Sequence, residues 1–442
     1  MPRLDWFCRA HLCERSCSHE RKRISAAQLK QYDRDYAEAR WSGSPCWFCR
    51  SYMCSSLATT TYFVMSSTSS RAERIRRSAR RIFRQSPSGS GCDAGVWAQS
   101  VDAASTAVVA ALALIPLTAQ LARTVSGGDE RAAWMAAIAV ARAPGFLALS
   151  STLGSSAFEP LGWTLCAWLL VRAILNGKRN SLVWAGVFAG IGFRNEIRNW
   201  YGLLGLSIGI VVTSARRLLY WREPWYAVVA AVVIGAPSLV WQQLHGWPFL
   251  ATIGFATAHR NLTGTPLRFE LGQVAAMNFL LAPLWMTGVV APGFVERLKP
   301  VRFLSVAFVV ATATVIYLRG KDYYLFPAYP TMFALGAVAC PELGRILRTI
   351  WFLAAMAAAL PVVPVVLPIL DPPALARYLD KTHLRPRPVE IESVGAPLTQ
   401  VFSDELGWRA MEKQAAQAYH SLAPEDRARS DHDPKLRGSG GA

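Results

Sequence analysis

The densest chemistry in the chain lies in Arg319-Gly320-Lys321-Asp322-Tyr323-Tyr324-Leu325-Phe326-Pro327-Ala328-Tyr329-Pro330, which sets two cations, a carboxylate and three tyrosines at the start of an apolar run. Arg319 and Lys321 suit a phosphate or pyrophosphate through charge-assisted hydrogen bonds, and Tyr323 and Tyr324 offer rings and hydroxyls to a sugar. The plainer reading is an interfacial anchor of Tyr and Lys. Glu159, in Ser155-Ser156-Ala157-Phe158-Glu159-Pro160, sits at the mouth of another apolar run, where a carboxylate is costly unless it is paired or faces water. Glu159 is the candidate catalytic residue, with a base, cation-binding or sugar-hydroxyl role. A structural carboxylate stabilised by a helix N-terminus is the alternative.

Two further segments carry charge. Arg194-Asn195-Glu196-Ile197-Arg198-Asn199-Trp200 is dense enough to neutralise itself, and an internal ion-pair cluster is the favoured reading. The loop Gln242 to Leu271 holds His245 beside Trp247 and Phe249, then His259-Arg260. His245 and Arg260 suit a segment that guides a lipid phosphate, although a lone His is usually structural and the aromatics also fit a membrane belt.

The elements that must position these groups follow from composition. Of 442 residues 52% are hydrophobic and 17% charged, with a mean hydropathy of +0.22, a balance that suits lipid better than water. The apolar residues form about ten blocks: Ala103–Ala122, Ala132–Leu149, Ala157–Val171, Ser181–Phe193, Trp200–Thr213, Tyr226–Trp241, Gly272–Ala291, Phe303–Leu318, Leu325–Cys340 and Thr349–Leu370. Most approach the length that crosses a hydrocarbon core of about 30 Å; Ser181–Phe193 and Trp200–Thr213 also fit buried core helices. The expected fold class is all-α, a polytopic transmembrane bundle of about ten spans.

Loop charge sets the orientation. Arg172, Lys178 and Arg179, then Arg216, Arg217 and Arg222, then Arg297, Lys299 and Arg302, then Arg345 and Arg348 recur after every second crossing, which places those loops in the cytoplasm. The segments around Glu159, Arg198, Arg260 and Lys321, and the tail after Leu370, then face outward. The net charge of +18 is spread over these loops and the N-terminal region with no pattern to present it to a groove. Nucleic acid is therefore not an expected partner, and anionic membrane lipids suffice.

Three domains are expected: an irregular region 1–100, a membrane domain 101–370 and an extracytoplasmic tail 371–442 with a short helix. Region 1–100 holds seven of the nine cysteines and a basic run Arg71–Arg84 without sustained periodicity. Cys46-Trp47-Phe48-Cys49 has zinc-knuckle spacing, but Cys8, Cys13, Cys17, His19 and Cys54 are irregularly placed. A disordered extension or sequence read out of its native frame fits better, and no cleavable signal peptide is expected.

The run Gly320 to Pro330, together with Ala157-Phe158-Glu159-Pro160-Leu161 and Trp241-Gln242-Gln243-Leu244-His245-Gly246-Trp247-Pro248-Phe249, resembles family-39 glycosyltransferases, of the dolichyl-phosphate-mannose–protein mannosyltransferase kind. Phe402 to Trp408 and Tyr419 to Arg427 are similar to the tail of bacterial members. The resemblance runs from about Ala107 to Arg429. It implies a GT-C bundle in a bacterial inner membrane that transfers a sugar, with inversion, from a polyprenyl-phosphate donor to a lipid, glycan or protein acceptor on the outer face. It also implies a general-base carboxylate in the first outer loop and cations that stabilise the departing phosphate.

The chain departs from that pattern in two places. The first-loop Asp motif should precede Ala107 and is not found, since Asp33 and Asp35 follow no apolar span. Glu196 stands where relatives resemble this stretch with a Lys. The expected enzyme is thus one of lipid-linked sugar transfer, or a form that has lost its base. The sequence points to no particular cofactor, and a divalent metal stays open, with Glu159 and Asp322 as ligands only if they converge. A transporter or flippase is the alternative, for which inverted repeats and broken midplane helices would speak. No duplicated pattern is present in the sequence.

Overall fold

Among the described residues, helices account for the whole of the regular structure. The computed structural model describes residues 93–151, 154–262, 264–340, 344–367, 369–388, 390–403, 414, 417 and 419–421. The cysteine pattern of region 1–100, Asp33 and Asp35, and Asp404 to Trp408 and Leu422 to Arg427 of the tail lie outside these residues. Among the described residues no strand occurs, and the single extended pairing is an isolated antiparallel bridge between Asn261 and Glu390.

Every apolar block coincides with helix: α1 (Asp93–Ser126), α2 (Glu130–Arg142), α3 (Pro144–Ser151), α4 (Glu159–Asn176), α5 (Ser181–Asn195), α6 (Trp200–Val212), α7 (Glu223–Leu244), α8 (Pro248–Phe255), α9 (Pro266–Ala276), α10 (Ala282–Val290), α11 (Phe303–Tyr317), α12 (Tyr329–Ala339), α13 (Arg345–Ala359), α14 (Val363–Val366) and α15 (Pro372–Thr382). By length and hydropathy, Thr106–Ser126, Ser155–Asn176, Glu223–Leu244 and Ile346–Val366 are long and apolar enough to cross a membrane. The spans rise to seven if each of three bent pairs counts as one: α2 with α3 at 56°, Ile197–Val212 with Ser214–Tyr220 at 96°, and α9 with Phe279–Gly293 at 99°. The chain is a multi-pass membrane protein, and the ten blocks of the sequence resolve into full spans, bent pairs and shorter helices such as α11.

Local chemistry explains the ends. Pro160 sits in the first turn of α4, where its missing N–H costs no hydrogen bond, and Gly177 closes the helix in the left-handed region at φ 65°. Between α1 and α2, Arg123 clasps Glu130 in a two-pronged pair of 2.7 and 2.6 Å, and Asp129 caps α2 by accepting from the Arg131 amide at 2.8 Å.

The centre of the bundle is α12. Tyr329 to Val338 are all buried, against α1, α2, α4 and α10. Its contact with α10 is backbone on backbone: a Cβ at Gly288 would lie 1.9 Å from the Met332 carbonyl oxygen, and one at Gly336 would lie 1.9 Å from that of Leu284. Small residues allow this approach where lipid supplies no hydrophobic drive between helices. At the periphery, α7 turns Val228, Val229, Val232 and Val233 outward, the mark of a lipid-facing helix.

The two ends of the bundle differ. At one, the loop after α4, the 3₁₀ turn Ser214–Tyr220 and the turn Glu296–Val301 meet, with the Arg179 guanidinium 4.4 Å above the Trp221 ring. This is the basic end. At the other gather the turns around residues 155–159, 196–200, 256–262 and 319–328. The tail returns to that polar end. Asp371 caps α15 through the Ala374 amide at 2.8 Å, and Leu375 and Leu379 pack with Val365, Leu398 and Phe402. The chain then runs from His383 back to the bridge at Glu390.

Candidate functional site

Glu159 begins α4 with its side chain 1% exposed, and Arg198 Nη2 reaches its Oε1 at 3.1 Å. Arg198 is itself placed by the short 3₁₀ turn Ile197–Asn199, and the same Nη2 donates to Ser156 Oγ at 3.0 Å. Glu196, the nearer carboxylate in sequence, stands 3.9 Å from Arg198 and accepts from Ser155 Oγ at 2.7 Å. The charged turn is thus an ion-pair cluster, as its composition suggests, but its strongest partner is Glu159, 39 residues away. Glu159 Oε2 and Arg198 Nε are buried and have no hydrogen-bond partner. Two polar atoms withheld from water without a partner mark this pair as unfinished by the fold alone.

The tyrosines close the cluster. The Arg198 guanidinium lies 4.1 Å from the centre of the Tyr324 ring and 5.6 Å from that of Tyr323, a cation–π arrangement. The Tyr201 hydroxyl donates to the Tyr324 backbone oxygen, tying α6 to the Asp322–Ala328 turn. Burial and the adjacent Tyr324 push the Tyr323 phenol above its usual range, so it remains a hydrogen-bond donor.

Below this cluster opens a cavity of about 300 Å³ between α4, α5, α6, α11 and α12. Glu159, Asn195, Asn199 and Thr331 supply its polar groups; Trp163, Phe188, Leu206 and Phe308 are among its apolar walls. Trp163 is fixed by donating from Nε1 to Asn199 Oδ1 at 2.8 Å, and Asn199 donates in turn to the Gly192 oxygen at 2.9 Å.

Beside it lies a second polar group. Lys321 and Arg260 converge on the Oε1 of Glu390, with Arg260 Nε at 3.0 Å. Burial opposes ionisation of Glu390, but the two cations outweigh it and hold its carboxyl below the usual range. Asp322 packs against α9: a Cβ on Gly272 would lie 2.7 Å from its Oδ2, and its backbone oxygen accepts from Gln273 Nε2 at 3.0 Å. Burial raises the Asp322 carboxyl to about 6, with Arg387 of the tail pulling the other way. Arg319 is exposed, with a left-handed φ of 52°, and contributes its backbone oxygen to Asn261 Nδ2 at 2.9 Å.

The structure therefore brings together Glu159, Tyr323 and Tyr324 around Arg198, and Lys321 and Arg260 around Glu390. His245 joins neither group: its ring stacks on Trp241 at 4.4 Å and its Nδ1 hydrogen bonds the Trp241 oxygen at 2.8 Å, the structural alternative for a lone His. Among the described residues no three His, Cys, Asp or Glu side chains form a group able to hold a metal ion. Sequence reasoning had no place for Glu390, Tyr201 or the cavity. Glu390 lies in Arg385-Pro386-Arg387-Pro388-Val389-Glu390-Ile391-Glu392, outside any long apolar run that would mark it.

Residues 99–241 match the family model described as dolichyl-phosphate-mannose-protein mannosyltransferase. This third of the chain is mannosyltransferase-like. The mannosyltransferase-like segment contains Glu159, Arg198, Tyr201 and three of the five helices that wall the cavity, α4, α5 and α6, whereas Arg260, Lys321 and Glu390 lie beyond it. A crystal structure of ArnT from Cupriavidus metallidurans bound to undecaprenyl phosphate superposes with a TM-score of 0.48, at 16% identity, over 75% of this chain and 71% of that one. No curated protein matches the chain.

Proposed function

We propose that this chain is a membrane glycosyltransferase that moves a sugar from a polyprenyl-phosphate donor to a hydroxyl of a lipid, glycan or protein acceptor at the outer face of a bacterial inner membrane. The observation that carries the reading is the convergence, at one end of an apolar bundle, of a paired carboxylate with an unpartnered oxygen, a tyrosine pair and two cations, beside an apolar cavity. Such a set offers a phosphate its counter-charges and a sugar its stacking faces. The mannosyltransferase-like match over 99–241 supports the same class.

In this reading Lys321 and Arg260 hold the donor phosphate, and Tyr323 and Tyr324 border the sugar. Glu159 Oε2 takes the acceptor proton as the acceptor oxygen bonds to the anomeric carbon. The carbon–oxygen bond to phosphate breaks, and its electron pair leaves with the phosphate, whose charge the cations stabilise. Glu159 takes the base role that the resemblance assigns to a first-loop Asp. The test is sugar transfer from polyprenyl-phosphate sugars by the purified chain: Lys321→Ala abolishes donor use while the protein still inserts, and unchanged transfer would remove that cation from the mechanism.

One observation favours a second reading, a transporter or flippase: three helix pairs are broken at 56°, 96° and 99°, as discontinuous transporter helices are. Reconstituted vesicles separate the two. Movement of a lipid-linked sugar across the bilayer without a new glycosidic bond would favour transport, and a new bond favours the transferase.

A further inference from the structure

The roles above leave Glu390 without one, although it is buried and the meeting point of two cations. We infer that Glu390 is a positioning residue that gathers Arg260 and Lys321 into one anion clamp, so that this residue of the tail completes the phosphate site. This rests on the reading that those cations meet a phosphate.

Arg260 and Lys321 come from loops 61 residues apart in sequence, and two like charges do not approach unaided. Glu390, its side chain 2% exposed, places one oxygen between them. The backbone holds it there. Asn261 forms the isolated bridge with Glu390 and donates from Nδ2 to the Arg319 oxygen at 2.9 Å, stapling the three segments together.

The clamp stays open to a second anion. Arg260 meets Glu390 through Nε, and its side chain is 48% exposed, so the guanidinium is accessible to a second anion. Two cations and one carboxylate sum to one positive charge, so a phosphate monoester is attracted rather than repelled. A carboxylate that orients charged groups which do the binding acts as outer-shell partners of metal ligands act, by holding them where the ligand needs them. The low position of the Glu390 carboxyl keeps it ionised across the neutral range.

The experiment is equilibrium binding of a polyprenyl monophosphate and, separately, of inorganic phosphate to the purified full chain, with thermal melts of each variant. Glu390→Gln, of the same shape, weakens polyprenyl monophosphate binding about tenfold, the scale of one charge-assisted contact. Glu390→Asp recovers part of the loss, and also serves if the Gln variant does not fold. The double variant Glu390→Gln with Lys321→Ala loses less than the sum of the two single losses, because Glu390 acts through its cations. Unchanged or tighter binding in Glu390→Gln, or fully additive losses, overturns the inference and leaves the transferase reading standing. If inorganic phosphate binds with this Glu390 dependence and the polyprenyl lipid does not, the clamp stands and the donor reading falls. If the native chain binds neither, both fall.

Discussion

At Glu159 burial enforces a choice: a carboxylate shut away from water is either neutral or paired, and Arg198 pairs it. Removing the partner is then far costlier than the pair is stabilising. Arg198→Ala is expected to destabilise the folded chain by roughly 3–5 kcal/mol, the usual cost of stranding a buried charge, read as a lower melting temperature in detergent. Arg198→Lys, which keeps the charge but loses the planar contact with Tyr324, falls between the two. Asp322 makes a pH prediction. Its carboxyl, raised by burial to about 6 from an unfolded value of 3.8, favours the folded state only while protonated. That contribution is complete below pH 3.8 and is lost as pH rises through about 6. Asp322→Asn should flatten the melting temperature across this window, and an unaltered slope would assign the titration to another group.

Residues of this kind were legible in proportion to how much their surroundings betrayed them. Glu159, Lys321 and Asp322 stand at the ends of apolar runs, where a charge has to be accounted for, and the sequence pointed at each. The partner of Arg198 was not legible. Glu196 lies two positions away, but the 3₁₀ turn at Ile197–Asn199 directs the guanidinium to the start of α4 instead. Glu390 offered no signal, because it is buried by tertiary contact with two loops rather than by its neighbours in sequence.

Helices are where composition spoke most clearly, since apolar runs of this length permit little besides a helix in lipid. What runs of hydropathy do not encode is bending. Trp200–Thr213 reads as one short span, yet Ile197–Val212 turns by 96° into Ser214–Tyr220, where Thr213 breaks from helical geometry and caps the new turn by accepting from the Ala215 amide. Nor does hydropathy tell a central helix from a peripheral one: α12 and α7 are both apolar, but only α12 is surrounded. The glycine contact between α10 and α12 makes a prediction at this scale. Gly336→Ala places a methyl group 1.9 Å from the Leu284 carbonyl oxygen and must push the helices apart, at a cost of about 1–3 kcal/mol typical of overpacking. Gly344→Ala, where a Cβ meets open space, is the matched control and should melt like the parent protein. Equal melting of the two would show that this contact is not as close as the geometry requires.

Across the whole molecule the chain is polarised. Aromatic-capped arginines hold one end, and the other assembles its charged groups from four loops and a returning tail. The alternation of basic loops anticipated this polarity from charge alone. The tail's part in it was not anticipated, because pairing Glu390 with two loops depends on the path of the chain after α15. Single cysteines introduced at Arg179 and at Arg319, in a background without the native cysteines, should therefore label from opposite sides of sealed vesicles. Labelling of both from one side would contradict the two-ended arrangement.

The central claim is that Glu159 and the Lys321 clamp serve one transfer reaction, and a single assay tests it: formation of a new glycosidic bond from a panel of polyprenyl-phosphate sugars by the purified chain, beside Glu159→Gln and Lys321→Ala. The account predicts transfer by the native chain, a loss of 10²- to 10⁴-fold with Glu159→Gln at intact donor binding, and loss of donor binding with Lys321→Ala. Full transfer by the Glu159→Gln chain would contradict it, and would place the base elsewhere in the protein.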